Sequence, residues 1–341
     1  MSEDSGTPDL ALRSRIAAAL SGAGAGTLGS SAEQLMSLYR SGERPTSPIL
    51  STATSVAAYA AYRMPATVGA ITAALRQLKA VTPDWAPVSH LDLGAGTGAA
   101  AWAVADQFPT MQSIVLLEQV PQAIELGRRI QAGSQRPALR SAAWRQWRIS
   151  EQDETFAAVD LATISYLLGE LDETQRIRVV RAAAASAHTV VVVEAGTPAG
   201  YRRILVAREQ LMASGLTVMA PCPHQLDCPL ATSRKDWCHF SERVDRSALH
   251  RQLKAAERSF EDEKFAFVAA SRDGGLDRPA ARVIRRPQRR KGLVALRVCA
   301  SSGCAEERLV SRRLGAVYQA ATKTRWGDPW PPGPDWGRRL S

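Results

Sequence analysis

Apolar residues change their spacing twice along this chain. Over residues 1–85 they recur at helical intervals, first as Leu10, Leu12, Ile16 and Leu20 and then as Leu35, Leu38 and Tyr39, with glycine and serine concentrated at 21–31 and 41–47. This spacing predicts a small helical region. It closes in a longer stretch from Ser55 to Lys79, within which Pro65 must start or kink a helix because proline has no N–H for the preceding turn. From Val88 the pattern becomes short apolar runs at 88–93, 113–118, 158–164 and 189–194, separated by amphipathic segments at 97–108, 121–132 and 173–187. A run as continuous as Thr189-Val190-Val191-Val192-Val193-Glu194 lacks the alternation of a half-exposed strand, so it predicts parallel strands covered on both faces. The centre of the chain therefore reads as a doubly wound α/β sheet of Rossmann-like type.

Beyond Tyr201 the pattern predicts a helix at 202–214, a cysteine-rich loop, a helix at 245–257 and a strand at Phe265-Ala266-Phe267-Val268-Ala269. Further strands are expected at 281–285 and 292–299, then a helix at 311–325 and a tail rich in Trp, Pro and Gly. No internal repeat is present. The expected organisation is an N-terminal helical region (1–85), a nucleotide-cofactor core (86–220), and a third segment (221–341) holding the cysteines, the remaining strands and a basic end.

Composition adds three constraints. Of 341 residues, 45% are hydrophobic but only 6% aromatic, the profile of an alanine-rich helical protein. No apolar run approaches the roughly 18 residues needed to cross a bilayer, so no membrane partner is expected. The start, Met1-Ser2-Glu3-Asp4, is acidic and has no apolar core behind it, which predicts no cleaved targeting segment and a reducing, cytoplasmic setting. The net charge of +10 is concentrated at one end, since residues 278–341 hold 15 Lys and Arg against 4 Asp and Glu, or +11, leaving about −1 elsewhere. A localised basic stripe is the footprint of a nucleic-acid partner, because neutralising phosphates releases counterions; a merely solvated basic surface is the alternative.

In Asp92-Leu93-Gly94-Ala95-Gly96-Thr97-Gly98, glycines follow an apolar strand and open a helix, so backbone can approach a ligand at the helix N-terminus. Glu118 ends the next strand, 20 residues after Gly98, where it can accept hydrogen bonds from ribose hydroxyls. The spacing G-x-G-x-G departs from the dinucleotide fingerprint and resembles motif I of class I S-adenosylmethionine (SAM)-dependent methyltransferases, in which Asp92 would lie near the methionine moiety. Asp92, Gly94, Ala95, Gly96, Gly98 and Glu118 are the candidate cofactor residues. Amino-methylating enzymes carry Asn/Asp-Pro-Pro-aromatic after the fourth strand; the corresponding stretch here, Thr163-Ile164-Ser165-Tyr166-Leu167-Leu168-Gly169-Glu170, lacks it. Pro221-Cys222 offers the thiol that cytosine-C5 methylation needs, but Cys222 lies among other potential ligands. Glu194 either faces the cofactor or is an ordinary strand-end acid. No catalytic residue is assigned.

Three of the five cysteines crowd Pro221-Cys222-Pro223-His224-Gln225-Leu226-Asp227-Cys228-Pro229 and Cys238-His239, while Cys299 and Cys304 lie far downstream. Such clustering in a reducing compartment points to metal binding rather than disulfides. Four thiolates suit a structural zinc or an iron–sulfur cluster, and the irregular gaps do not match the paired C-x2-C of common zinc modules. Cys222, Cys228, Cys238 and Cys299 are the candidate ligands. Cys299 is preferred to Cys304 because it ends the apolar strand Leu293 to Val298, a rigid point. His224 and His239 are either ligands or hydrogen-bonded loop residues.

Several segments together resemble one family: Tyr62-Arg63-Met64-Pro65-Ala66-Thr67, the glycine loop, Val193-Glu194-Ala195-Gly196-Thr197-Pro198-Ala199-Gly200, Cys222 through Pro229, Trp237-Cys238-His239-Phe240 and Trp326-Gly327-Asp328. They occur in the order found in the methyltransferase-like small-ribosomal-subunit assembly factors of mitochondria and many bacteria, called methyltransferase-like protein seventeen in animals. The resemblance covers roughly residues 55–330. It implies a SAM-binding class I methyltransferase-type core with a cysteine-rich metal-binding insertion, a [4Fe–4S] cluster on Cys222, Cys228, Cys238 and Cys299, and a place between head and body of the immature small subunit. It also implies methyltransferase activity that is weak or lost.

The leading expectation is thus a ribosome-associated assembly factor, monomeric off the ribosome and mitochondrial if its host is a eukaryote. Arg285, Arg286, Arg289, Arg290 and Lys291, with Arg312, Arg313, Lys323 and Arg325, are the candidate rRNA phosphate contacts. Trp326, Trp330 and Trp336 are candidates for base stacking, worth roughly 1–3 kcal/mol each, with at least one of them assigned to packing. The alternatives are an active SAM-dependent rRNA methyltransferase and a zinc-stabilised methyltransferase of a small molecule.

Overall fold

The computed structural model describes residues 8–21, 29–31, 34, 49–150, 152, 154–245, 260–273 and 278–331. The second apolar group at Leu35, Leu38 and Tyr39, Trp336, and the helix predicted at 245–257 beyond Asp245 lie outside the described residues. Asp245 itself ends a strand.

Helix α1 (Pro8–Ala19) buries Leu12 and Ile16. Helix α2 (Ala53–Tyr62) starts at a reciprocal capping box in which Ser55 N–H donates to Thr52 Oγ1 at 3.1 Å and Thr52 N–H to Ser55 Oγ at 3.0 Å. Helix α3 (Met64–Lys79) begins one residue after α2 ends, with Pro65 in its first turn, where the missing N–H costs nothing. The break expected at Pro65 is a junction between two helices. Ile71, Leu75 and Leu78 form the buried stripe of α3, and each adds about 1.5–3 kcal/mol by leaving water.

The main sheet runs β3-β2-β1-β4-β5-β8-β6, with β7 also paired to β8. Its members are β1 (Ser89–Leu93), β2 (Ser113–Glu118), β3 (Ala143–Gln146), β4 (Val159–Ser165), β5 (Ala187–Ala195), β6 (Thr217–Ala220), β7 (Phe240–Asp245) and β8 (Phe260–Ser271). The first five are parallel, whereas β8 is antiparallel to β5, β6 and β7. The all-parallel reading therefore holds for five strands and stops at β8, a 12-residue strand whose two halves pair different neighbours.

Helices α4 (Ala99–Gln107), α5 (Pro121–Ala132) and α6 (Pro137–Arg140) join α1, α2 and α3 on one face, and α7 (Glu173–Ser186) and α8 (Pro198–Ala213) cover the other. Val191 and Val193 point into the first layer and Val190 and Val192 into the second, which is why the valine run of β5 shows no polar alternation.

A second sheet follows, in the order β10-β11-β9-β13 with β12 on β11: β9 (Ala281–Val283), β10 (Gln288–Arg290), β11 (Leu293–Ala300), β12 (Ala305–Ser311) and β13 (Pro329–Trp330). Val283, Val294, Leu296, Val298 and Trp330 form its core. The helix predicted at 311–325 is shorter: Ser311 ends β12, Arg312–Leu314 form a 3-10 turn, Gly315 takes φ 52°, and α9 spans Ala316–Lys323. Among the described residues no helix is long and apolar enough to cross a membrane.

Candidate functional site

A cleft lies above the C-terminal ends of β1, β2 and β4, bounded by the glycine loop, the segment after β4, and Leu50, Tyr59 and Thr67 from the N-terminal region. Asp92, Gly94, Ala95, Gly96 and Glu118 line it; Gly98 caps the start of α4. Gly94 has φ 76°, and a Cβ there would come within 2.7 Å of the Leu167 side chain. Both the turn and the close approach of the segment after β4 therefore require glycine.

Glu118 closes the loop on itself. Gly96 N–H donates to its Oε2 and Val120 N–H to its Oε1, each at 2.8 Å. Burial raises its carboxyl above the ordinary range, while these N–H groups oppose the shift. Asp92 and His90 lie on the same face of β1, opposite Thr163 of β4. Thr163 Oγ1 donates to Asp92 Oδ1 at 2.7 Å, so His90 Nε2, 2.8 Å from that hydroxyl, must be the donor to it. The ring is neutral: burial lowers the His90 pKa to about 3. Asp92 is 1% exposed and its Oδ2 has no protein partner. Burial, with the Glu118 charge adding to it against the Thr163 hydrogen bond, raises Asp92 to about 7.

Sequence reasoning missed Glu170, Tyr166 and Arg148. Glu170 lines the same cleft, meets Ile49 N–H at a long 3.5 Å, and is raised by burial to about 7. Tyr166 has φ 57°, an uncommon conformation for an aromatic residue, directly after β4. Its hydroxyl donates to Glu263 at 3.1 Å, and Glu263 accepts both arms of Arg63 at 2.8 and 3.0 Å. Exposed Arg148 sits among the lining residues. Glu194 does not line the cleft; it accepts from Leu168 N–H at 2.9 Å and from Arg203 at 2.8–2.9 Å, holding the segment after β4 to α8.

A second, apolar pocket is lined by Cys222, Cys228, Cys238 and Cys299 together with Pro221, Pro229, Leu230 and Ile284. Three of its thiols come from the segment between β6 and β7 and the fourth from β11 of the second sheet. Exposed Cys304, in the β11–β12 turn, does not line it. Burial raises the thiols of Cys222, Cys238 and Cys299, the last to about 12, and their mutual repulsion adds to the effect.

Tyr201 Oη lies 3.1 Å from Cys228 Sγ, and His224 Nε2 lies 3.3 Å from Cys299 Sγ. His239 stacks on Trp237 at 5.1 Å and bonds its carbonyl through Nδ1 at 3.0 Å, the arrangement of a loop histidine. Two buried guanidiniums flank the thiols. Arg208 donates to the carbonyls of His224 and Leu226 and favours the Cys222 thiolate by its charge, and Arg282, 1% exposed with Nη2 unpartnered, acts electrostatically on Cys222, Cys238 and Cys299. Four thiols that repel once ionised form a donor set suited to a soft metal centre. Among the described residues, no three His, Cys, Asp or Glu are grouped to hold a single ion.

The basic candidates divide in two. Arg286, Arg290, Lys291, Arg312, Arg313, Lys323 and Arg325 are exposed. Arg285 is half-buried and binds Asp236 and the Trp237 carbonyl, so it braces the cysteine segment. Arg289, though exposed, donates to the carbonyls of Thr322 and Thr324 at 2.9 and 2.7 Å, closing the end of α9. The stacking expected of Trp330 is corrected by its packing, whereas Trp326 is half-buried. Trp326 meets His239 edge-on at 5.0 Å and lies against Phe240, while Trp330 is 5% exposed in the second core.

The sequence model of one family, described as "Mitochondrial small ribosomal subunit Rsm22", matches residues 53–331. The human "Ribosome assembly protein METTL17, mitochondrial" is 26% identical over 294 residues, covering 80% of this chain and 62% of that protein. "Rsm22-cox11 tandem protein 2, mitochondrial" of Schizosaccharomyces pombe is 23% identical over 325 residues, covering 81% of this chain and 43% of that protein. The chain thus spans less than two thirds of either relative. Among solved structures, the precorrin-6y C5,15-methyltransferase of Geobacter metallireducens GS-15 is 15% identical, with coverage of 57% and 85% and a TM-score of 0.35, a likeness too loose to argue from.

Proposed function

This chain belongs to the Rsm22 family, and on that footing we propose that it is an assembly factor of the small ribosomal subunit that binds SAM, carries a [4Fe–4S] cluster and contacts rRNA. The observation that carries the reading is that one match, over 53–331, takes in the acidic cleft, the four clustered thiols and the exposed basic strands together. Any one of them alone would leave the class open.

In this reading SAM occupies the cleft, with Glu118 toward the ribose and Asp92 toward the methionine end, and supplies binding energy that orders the segment after β4. Cys222, Cys228, Cys238 and Cys299 hold the cluster, which supplies thiolate bonds joining the segment before β7 to β11. The irregular gaps between these cysteines, unlike the paired C-x2-C of common zinc modules, favour the polynuclear centre over a single zinc. Arg286, Arg290, Lys291, Arg312, Arg313, Lys323 and Arg325 supply the phosphate contacts. Methyl transfer is weak or lost, in keeping with the missing Asn/Asp-Pro-Pro-aromatic stretch and with a Tyr166 hydroxyl held by Glu263. The protein works on the ribosome, in the mitochondrion if its host is a eukaryote.

The test is anaerobic purification with metal analysis, followed by sedimentation with small-subunit precursors and with mature subunits. About four irons per chain with a broad band near 400 nm, and preference for the precursors, are expected. Stoichiometric zinc in a colourless protein would overturn the cluster, and equal binding to both particles would overturn the assembly role.

A further inference from the structure

The cleft holds more carboxyl groups than a glycine loop and one ribose-binding acid require. Asp92 from β1, Glu118 from β2 and Glu170 from the segment after β4 approach it from three directions. Their positions follow from different constraints. Glu118 is tied to Gly96 and Val120, and Asp92 to Thr163, whereas Glu170 has only the long contact to Ile49 N–H among its hydrogen bonds given by the structure.

An acidic group of this kind could be a local accident if every oxygen were satisfied by protein. Here Asp92 Oδ2 is buried and unpartnered, and Asp92 is 1% exposed. A buried carboxyl oxygen without a partner is costly, so a ligand that meets it recovers part of that cost. The other charged neighbours do not neutralise the three acids. Arg148 is at the exposed surface, Arg63 binds Glu263, and Arg203 binds Glu194. Tyr59 and Tyr166 have phenols that burial keeps protonated.

We infer that this cleft selects its ligand by charge: Asp92, Glu118 and Glu170 favour the sulfonium form of the cofactor over its neutral demethylated product, with Glu170 the residue that adds the discrimination. The inference rests on the reading that SAM binds here. SAM and S-adenosylhomocysteine share the adenosine, the α-ammonium and the carboxylate, and differ by one methyl group and one positive charge at sulfur. A unit charge about a side chain's length from a carboxylate, in an open cleft whose effective dielectric lies between about 20 and about 80, is worth on the order of tenfold in affinity. Burial raises Asp92 and Glu170 to about 7, so each is only part-ionised in the empty cleft at neutral pH, and an incoming cation favours the ionised form with release of a proton. A factor built this way reports on the supply of the methyl donor and ignores the spent product.

Calorimetric titration of the full chain with SAM, S-adenosylhomocysteine and sinefungin tests this, sinefungin carrying an ammonium-bearing carbon in place of the sulfonium. SAM and sinefungin are expected to bind with similar affinity, and S-adenosylhomocysteine on the order of tenfold more weakly. Glu170→Gln should weaken the two cationic ligands and leave the neutral one within about twofold, closing most of the gap. Product binding as tight as SAM in the wild type overturns the inference but leaves SAM binding intact. Equal weakening of all three ligands by Glu170→Gln overturns the role of Glu170, and no binding of any of the three overturns the SAM reading itself. Because the wild-type ratio needs no variant, poor folding of Glu170→Gln would not shield the claim.

Discussion

Arg203→Met removes the guanidinium that faces Glu194 and leaves a carboxylate that is 2% exposed. In the native protein burial outweighs Arg203 and the Leu168 N–H, so Glu194 lies above its ordinary value of 4.5. Such a group disfavours folding progressively as pH rises from 4.5 toward its folded pKa, because there the unfolded chain has released a proton that the folded chain retains. Without Arg203 the folded value climbs further, and less of the carboxyl is ionised in the folded protein at neutral pH. The cost has a ceiling. Protonating a group with an ordinary value of 4.5 takes about 3.4 kcal/mol at pH 7 and about 2 kcal/mol at pH 6, at 1.36 kcal/mol per unit. The wild-type residue's own upward shift and the remaining Leu168 N–H lower this, giving an expected loss of about 2–3 kcal/mol at pH 7. Urea unfolding followed by tryptophan fluorescence at pH 6, 7 and 8 measures it. The deficit should shrink by up to about 1.4 kcal/mol per pH unit on acidification, and Arg203→Met with Glu194→Gln should restore most of it. A deficit below about 0.5 kcal/mol, or one that does not vary with pH, would refute the reasoning.

Cys299→Ser is expected to lose iron on anaerobic purification, whereas Cys304→Ser should retain it; the reverse outcome would move the fourth ligand to the exposed turn. Replacing Arg290, Lys291, Arg312 and Arg313 by Ala should reduce the slope of log affinity against log salt for rRNA by about 0.7 to 0.9 for each phosphate that is no longer neutralised, and an unchanged slope would place the RNA face elsewhere. Arg289→Ala, by contrast, is expected to loosen the end of α9, read as a lower melting temperature. Gly94→Ala forces a side chain into φ 76° and within 2.7 Å of Leu167, so it should cost about 1–2 kcal/mol and abolish detectable SAM binding in a titration.

Much of the core was legible because its signals are local. The run into Gly94, the helix after it and Glu118 all fall within one strand–helix–strand unit, and apolar continuity marks β5 directly. β12 was not legible, since Glu306, Glu307 and Arg308 stand where β-formers would be sought and its pairing with β11 supplies the structure instead. The shortened helix after it has the same origin, because Ser311 belongs to that strand and Gly315 turns the chain. At the site, the glycine loop and cysteines could be read as motifs. Glu170 and Tyr166 could not, because what matters about them is which other side chains the fold brings close. Charge runs were misleading in a specific way: Arg285 and Arg289 look like their neighbours in sequence, yet each bonds a nearby backbone carbonyl within the second sheet or its surroundings.

β8 also has a consequence for synthesis. The strand that seals one edge of β5, and with it the buried valines 190–193, lies at residues 260–271, far later than the parallel strands it completes. A chain emerging from its N-terminus therefore makes five strands of the main sheet while β5 still presents unpaired N–H and C=O groups along an apolar edge. Truncation before about residue 271 should consequently yield a sticky product rather than a smaller working one, and any chaperone that guards this chain has its window between the exit of β5 and the exit of β8.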